Sequence, residues 1–268
     1  MTTYNNGAPG RAWHWYSPPE STYYTECAQL LDKAPHLLIA GASGSGKSVL
    51  LNNIIYSALA FTPNRYRFIF IDLKKIELID YSYTPFCAYY ADTPQKAQTA
   101  VDYAAAVMDW RYLEMQRRSV PGKSCKDYAS DGTQQIYIVI DEYADLISTC
   151  ARSVVEQIIR IAQLGRAAGV HIILATQRPT RDVIDGRIKV NLSVRIALRC
   201  ASAQDSRNIL DQPGAELLPR YGQALKLENG YITRLIIPKT PDAAIYNRVA
   251  YWIERGQAYS RFCERIIT

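Results

Sequence analysis

Short apolar runs alternate along this chain with longer amphipathic segments. Five apolar runs have the length and composition of buried strands, and three intervening segments fit helices. Strands that alternate with helices predict an α/β fold with a mostly parallel sheet flanked by helices. The predicted strands are His36–Ala40, Arg67–Ile71, Ile136–Ile140, His171–Ala175 and Val194–Arg199, and the predicted helices are Ser48–Ala60, Pro94–Arg118 and Ser153–Ala168.

The regular pattern begins after a lead-in that is rich in Trp and Tyr. We expect residues 1–30 to be irregular and residues 31–268 to form a single domain, because 268 residues suffice for one large α/β core. The stretch Val120–Gln135 contains Pro121, Gly122 and Gly132 and predicts a surface connection.

Composition narrows the class of protein. Apolar residues make up 48% and charged residues 21%, which is typical of a soluble globular chain and disfavours disordered or collagen-like classes. No apolar run reaches the ~18–20 residues of a membrane span, and Met1–Gly10 lacks the apolar core of a signal peptide. The six cysteines are scattered along the sequence, which is typical of free thiols and not of a disulfide framework. We therefore expect a cytoplasmic protein without direct membrane insertion.

The net charge of +6 is concentrated in one segment. Between Arg152 and Arg207 there are ten basic and four acidic residues, while the remaining residues balance. Such a segment indicates either a polyanion-binding surface or a solvated basic face.

A glycine-rich loop follows the first predicted strand and matches G-x-x-x-x-G-K-[ST]. Its glycines allow backbone N–H groups to surround a phosphate, Lys47 reaches the β- and γ-phosphates, and the Ser48 hydroxyl binds Mg²⁺. The motif therefore predicts ATP and Mg²⁺ as ligands. The predicted ATP-binding residues are Gly41, Ala42, Ser43, Gly44, Ser45, Gly46, Lys47, Ser48 and Val49.

Two acids follow the third predicted strand. Asp141 is placed to hold Mg²⁺ together with Ser48, as in a Walker B motif. The adjacent Glu142 is placed to polarise the attacking water as general base.

Two further residues are candidates for catalysis. Gln177, after the fourth strand, is predicted to sense the γ-phosphate, or alternatively to bond to local backbone. Arg166, near the end of the preceding helix, is predicted either to act as an arginine finger in a neighbouring subunit or to cap its own helix. One strand separates the P-loop strand from the Walker B strand, which with Glu142 indicates a RecA-like sheet of order 5-1-4-3-2.

Several ordered runs together resemble the motor domain of the FtsK/SpoIIIE family of DNA translocases. Asp72, Lys74 and Glu77 also match this family, with Leu73 in place of its usual proline. The runs that carry the resemblance are His36–Ser48, Ile138–Leu146, Gly165–His171, Ala175–Pro179 and Asp205–Asp211.

The resemblance implies a hexameric ring that pumps double-stranded DNA with ATP. It assigns Lys47 and Ser48 to nucleotide and Mg²⁺, Asp141 and Glu142 to hydrolysis, and the arginine finger to Arg166. The positions that match its DNA-contacting loops are Arg178, Lys189 and Arg207.

The resemblance implies that chromosome translocases of the family usually have a membrane part and a winged helix, and we expect this chain to lack both. We therefore expect a compact motor for mobile-element or phage DNA transfer or packaging, with a partner protein for DNA-site guidance or membrane recruitment. The alternatives are an ATPase that moves protein substrates, as in type VII secretion, and an assembly module that binds ATP without processive work.

Overall fold

The computed structural model describes residues 22–117 and 134–267, apart from the side chains of residues 22–26, 28 and 257–267. The predicted irregular segment up to residue 21 and almost all of the predicted connection Val120–Gln135 lie outside the described residues.

One mixed sheet forms the centre of the structure. Six strands run parallel, and two more extend the sheet as an antiparallel hairpin. The strands are β1 His36–Ala40, β2 Tyr66–Ile71, β3 Cys87–Ala91, β4 Gln135–Ile140, β5 Val170–Thr176, β6 Val194–Ala197, β7 Gln223–Glu228 and β8 Tyr231–Ile236.

The order of these strands is β3-β2-β4-β5-β1-β6-β7-β8. The five predicted strands correspond to β1, β2, β4, β5 and β6, and they stand in the predicted order 5-1-4-3-2. The RecA-like fold is thereby confirmed, and β3, β7 and β8 are additions at the two sides of the sheet.

Helices cover both faces. On one face α3 and α5 pack on alternate strand residues such as Ile138 and Ile172; on the other, α1 and α2 pack on the intervening ones such as Val139 and Ile173. The helices are α1 Thr22–Lys33, α2 Lys47–Ala58, α3 Pro94–Arg117, α4 Tyr143–Thr149, α5 Arg152–Ala168, α6 Gly186–Lys189, α7 Ala203–Leu210 and α8 Asp242–Ile267. No helix within the described ranges is long and apolar enough to cross a bilayer.

Helix α1 corrects the prediction of an irregular segment up to residue 30. Cys27 and Leu31 lie one turn apart and are both buried in the same core as α2. Its last turn is fixed by Asp32, which accepts hydrogen bonds from the side chains of Arg65 and Tyr66 at 2.7 and 2.8 Å. These contacts are with residues distant in sequence, so the local pattern did not show them.

Candidate nucleotide-binding site

The P-loop connects β1 to α2 at the carboxyl edge of the parallel strands. Gly44 and Gly46 have φ values of +68° and +99°, in the left-handed region that favours glycine. A Cβ at Gly41 would lie only 2.7 Å from the Ser45 hydroxyl and 2.9 Å from the Cβ of Leu198. The loop sequence is thus dictated by backbone conformation and by close packing on the end of β6.

Lys47 is buried beside the Walker B acid. Its ammonium lies 2.6 Å from a carboxylate oxygen of Asp141 and 2.6 Å from the Asp141 backbone carbonyl. The two side chains are only 4% and 6% exposed, so the charges compensate each other away from solvent. Phosphate oxygens entering the P-loop would compete with Asp141 for this ammonium.

The Ser48 hydroxyl donates a hydrogen bond of 2.6 Å to a carboxylate oxygen of Glu77. Glu77 lies in a turn that is organised by the buried carboxylate of Asp72, which accepts hydrogen bonds from the backbone N–H groups of residues 75 to 78. Sequence reasoning matched Asp72 and Glu77 to the family without giving either a role. The structure brings Glu77 to the predicted metal site.

The donor set at this point fits Mg²⁺. Ser48 offers a hydroxyl, and Asp141 and Glu77 offer carboxylates, which are the hard oxygen ligands that Mg²⁺ prefers. In sites of this kind one or two carboxylates and the phosphates of the substrate hold the ion.

Glu142 is buried and firmly oriented. One carboxylate oxygen accepts a hydrogen bond of 2.6 Å from the Thr176 hydroxyl, and the other accepts one of 2.9 Å from the Gln177 backbone N–H. Glu142 also stands at the N-cap of α4 and accepts from the Ala144 N–H. Sequence reasoning missed Thr176, although its position as the last residue of β5, next to Gln177, could have indicated it.

Gln177 contacts Glu142 through its backbone. Its side chain is half-buried, and no hydrogen bond from it to another described residue is formed. A role in sensing the γ-phosphate stays a prediction for this side chain.

Arg166 lies at the opposite, amino edge of the sheet. It is exposed near the end of α5, and β5 separates it from the carboxyl edge by seven residues, roughly 20 Å at about 3.3 Å per residue. Within one chain it cannot reach Lys47. The carbonyls of Ala168, the last residue of α5, and of Gly169, the C-cap, accept hydrogen bonds from the buried Arg111 at 2.7 and 3.1 Å, so another residue does the capping considered for Arg166.

His36, the first residue of β1, lies near Arg166. Its Nδ1 accepts a hydrogen bond of 3.2 Å from the Ile172 N–H, and its buried Nε2 has no hydrogen-bond partner among the described residues. Burial, reinforced by the positive charge of Arg166, lowers the pKa of His36 to about 4.

Lys189 and Arg207 line one cavity of about 440 Å³, together with Arg181. Arg178 is exposed after β5 and is not among the residues that line it. The sequence predicted Arg178, Lys189 and Arg207 as DNA contacts, and the structure adds Arg181 to this group of basic side chains.

Lys189 is more enclosed than Arg181 and Arg207, which line the same cavity. Its ammonium bonds to a carboxylate oxygen of Asp211 at 2.6 Å and to the Arg207 carbonyl at 3.3 Å. Arg195 pairs with the other Asp211 oxygen at 2.8 Å. Against the opposing effect of desolvation, hydrogen bonds from Lys189 and Arg195 lower the pKa of Asp211. Lys189 thus links α6 to α7.

Ion pairs divide the basic segment Arg152–Arg207 into two equal groups. Five of its ten basic residues pair with a carboxylate: Arg152, Arg160, Arg187, Lys189 and Arg195. The other five form no ion pair with a described residue: Arg166, Arg178, Arg181, Arg199 and Arg207. The positive charge available to a ligand is therefore smaller than the sequence count.

The model of the FtsK/SpoIIIE family matches residues 20–128 and 123–181, more than half of the chain. The chain belongs to the FtsK/SpoIIIE family. It is 39% identical over 267 aligned residues to DNA translocase FtsK 1 of Neisseria meningitidis serogroup A, an alignment that includes 89% of the chain and 32% of that relative. The resemblance predicted from the sequence is confirmed, and the chain is a P-loop ATPase.

Solved structures agree with this assignment. The ATPγS-bound monomer of the pCW3 conjugation coupling protein TcpA is 25% identical with a TM-score of 0.71, covering 82% of this chain and 65% of TcpA. The cytoplasmic domain of the type VII secretion ATPase EccC of Thermomonospora curvata is 27% identical with a TM-score of 0.66, covering 78% of this chain and 26% of EccC. The chain spans about a third or less of the length of the curated relatives it matches.

Proposed function

We propose that this chain is an ATP-driven motor that moves double-stranded DNA through a ring of identical subunits, with six as the expected number. The observation that carries the proposal is the linked carboxyl edge, where Lys47 pairs with Asp141 and Glu142 is oriented by Thr176. The chain that carries this site is also 39% identical to a DNA translocase.

Each residue of the site has a definite task in hydrolysis. The N–H groups of the P-loop bind phosphate oxygens, and Lys47 exchanges Asp141 for the β- and γ-phosphates. Ser48 and Asp141 would hold Mg²⁺, which when bound neutralises phosphate charge. Glu142 takes the proton of the attacking water, and Gln177 orients that water.

The opposite locations of Arg166 and the P-loop favour a ring. If the amino edge of one subunit meets the carboxyl edge of the next, Arg166 completes the neighbouring site. Such a head-to-tail interface is heterologous and generates a closed ring when the rotation closes.

The DNA backbone is proposed to contact Arg178 and Arg207 directly. Both are exposed and without a carboxylate partner among the described residues, whereas Lys189 is held by Asp211 and positions α7. Contacts between arginine and phosphate do not distinguish bases, so binding is expected to be independent of sequence and to weaken steeply with salt.

The biological setting is part of the proposal. The likeness to a conjugation coupling protein favours transfer of mobile-element or phage DNA. We propose that the motor works in the cytoplasm and that a partner protein guides it to a DNA site or recruits it to the membrane.

A protein-moving ATPase is the second candidate, favoured by the 27% identity with EccC. The two candidates differ in the response to DNA: a DNA motor hydrolyses ATP faster when duplex DNA is present, whereas the turnover of a protein-moving ATPase is indifferent to it.

The decisive experiment measures ATP turnover with and without duplex DNA. We expect DNA to stimulate the wild-type chain about tenfold or more, and both Lys47→Ala and Glu142→Gln to abolish the stimulation. Turnover that is the same with and without DNA would reject the DNA motor and favour the second candidate.

A second experiment tests the DNA surface. The variant Arg178→Ala/Arg207→Ala should bind duplex DNA at least tenfold more weakly. Its DNA affinity should also fall less steeply with salt, as expected when about two phosphate contacts are lost. The control Arg117→Ala/Arg152→Ala removes the same charge from two exposed arginines that pair with acids. Equal DNA affinity of the two variants would contradict the assignment.

A further inference from the structure

We propose that Arg220, in the loop before β7, binds the phosphates of the nucleotide. A guanidinium nitrogen of Arg220 lies 3.6 Å from the point that a Cβ on Gly44 of the P-loop would occupy. The proposal rests on the ATP-binding part of the proposed function and adds a residue that lies more than 170 positions beyond the P-loop in the sequence.

The antiparallel hairpin brings Arg220 to this place. β7 runs against β6, with Leu225 opposite Ala197, so β7 begins at the edge where β6 and β1 end. Gly222, at φ +80°, accepts a hydrogen bond of 2.8 Å from the Ile237 N–H and fixes the loop just before β7. Arg220 therefore reaches the P-loop from a rigid part of the sheet.

The charge of Arg220 is available to a ligand. The residue is exposed, its guanidinium forms no ion pair with a carboxylate among the described residues, and its closest aromatic neighbour is Tyr221, with the ring centroid at 5.1 Å. Lys47, by contrast, is buried and paired with Asp141.

The electrostatics of the two neighbours point to an anion. The P-loop presents backbone N–H groups with partial positive charge, and a guanidinium next to them has charge of the same sign. The two positive groups repel each other when no ligand is bound. An anion bound between them attracts both, so the arrangement becomes favourable. A guanidinium suits phosphate in particular, because its planar fork binds two oxygens at once.

The position of Gly44 indicates which phosphates are contacted. The glycine-rich loop surrounds the α- and β-phosphates, while the P-loop lysine extends to the β- and γ-phosphates. Arg220 is thus placed at phosphates that ATP and ADP share. We expect it to contribute to ground-state binding, so that its loss raises KM in larger proportion than it lowers kcat.

The test measures the affinity of the full chain for fluorescent ATP and ADP analogues in the absence of DNA. Arg220→Ala should weaken both by about tenfold and to a similar degree, because a charged hydrogen bond is lost, and Arg220→Lys should lose less. The matched control is Arg234→Ala, which removes an exposed arginine from β8 of the same hairpin and should change neither affinity.

Two results would overturn the inference. One is an affinity of Arg220→Ala within twofold of the wild type for both nucleotides. The other is a loss confined to DNA-stimulated turnover, which would make Arg220 a DNA contact. The variant Lys47→Ala separates a failure of this inference from a failure of the proposed function. If Lys47→Ala also leaves ATP affinity unchanged, the P-loop is not the ATP site. If Lys47→Ala weakens ATP binding and Arg220→Ala does not, only the role of Arg220 is wrong.

Discussion

The two edges of the sheet both hold buried polar side chains, but they bond them differently. At the carboxyl edge Lys47, Ser48 and Thr176 each bond to a carboxylate, that of Asp141, Glu77 and Glu142 respectively. At the amino edge the buried side chains bond to uncharged groups: Arg111 and His36 bond to the backbone, and His171 bonds to the Pro35 carbonyl and to the side chain of Gln135.

This difference separates a site that reacts from a site that holds the fold. A ligand can replace one side chain of a pair without disturbing the backbone, so the carboxyl edge can exchange partners during a catalytic cycle. A side chain bonded to several carbonyls fixes the chain at those points, and removing it leaves buried acceptors without donors. Each of the following predictions tests whether the two edges keep these separate roles.

The largest expected effect concerns Arg166, the exposed arginine of the amino edge. If it serves the site of a neighbour, Arg166→Ala should lower turnover about 10³-fold, because an arginine finger stabilises the charge of the transition state. The measurement is ATP turnover, with Gln163→Ala, an exposed residue on the same helix, as the control.

Mixing two inactive variants shows whether Arg166 acts between subunits. Arg166→Ala retains Glu142, and Glu142→Gln retains Arg166, so a mixed assembly contains some complete sites and should regain part of the activity. No recovery in assemblies shown to be mixed would place Arg166 outside the neighbouring site.

A smaller but still large effect is expected for Arg111→Met. Arg111 is buried and donates hydrogen bonds to the carbonyls of Ala168, Gly169 and Gln134. Its loss removes this donor from the carbonyls of Ala168 and Gln134, whereas that of Gly169 still accepts from the Ile136 N–H. It should lower the free energy of unfolding by about 3 kcal/mol, measured by urea denaturation. The exposed Arg117→Met on the same helix should change it by less than about 0.5 kcal/mol. Equal effects would end the structural interpretation of the amino edge.

The next prediction concerns pH. Burial lowers the pKa of His36 from 6.5 to about 4, so between these values the unfolded chain binds a proton that the folded chain excludes. The free energy of unfolding should therefore fall as the pH falls through this window, by about 2 kcal/mol between pH 7 and pH 5. The variant His36→Leu should show a correspondingly flatter dependence in urea denaturation. A slope identical to that of the wild type would mean that His36 is protonated in the folded state.

The smallest effect is expected for Thr176→Val. Removing the hydroxyl loosens one contact of Glu142 but leaves the one from the Gln177 N–H. Turnover should fall about three- to tenfold with little change in ATP affinity, and Thr176→Ser should restore it because the hydroxyl returns. If ATP affinity falls as much as turnover, Thr176 shapes the pocket and does not orient Glu142.

The parts of the fold that were predictable are those whose pattern is local. β1, β2, β4, β5 and β6 are fully buried or nearly so and appear as apolar runs, and α3 shows a helical period over most of its length. The β7–β8 hairpin escaped prediction because most of its residues are half-buried or exposed, which leaves no continuous apolar run. β3 is a short run of small and aromatic residues, Cys87–Ala91, most of them half-buried, and it was not predicted as a strand.

The site divides in the same way. Gly41–Ser48 is contiguous, and Asp141 and Glu142 directly follow a buried strand, so their chemistry is visible in the sequence. The partners of these residues lie elsewhere in the chain. Glu77 is brought to Ser48 by the turn around Asp72, and Arg220 is brought to Gly44 by the hairpin.

The sequence by itself therefore determined the family, the order of the central strands and the P-loop and Walker B motifs, because short motifs and hydrophobic period encode them locally. Only the tertiary structure decided which charges are free and which are paired. In the folded chain Lys189 pairs with Asp211, Arg111 caps α5, and Arg166 and Arg220 are exposed at opposite edges of the sheet. The reason is physical: a charge becomes available or unavailable through partners that folding brings from distant parts of the chain, and no local pattern records that pairing.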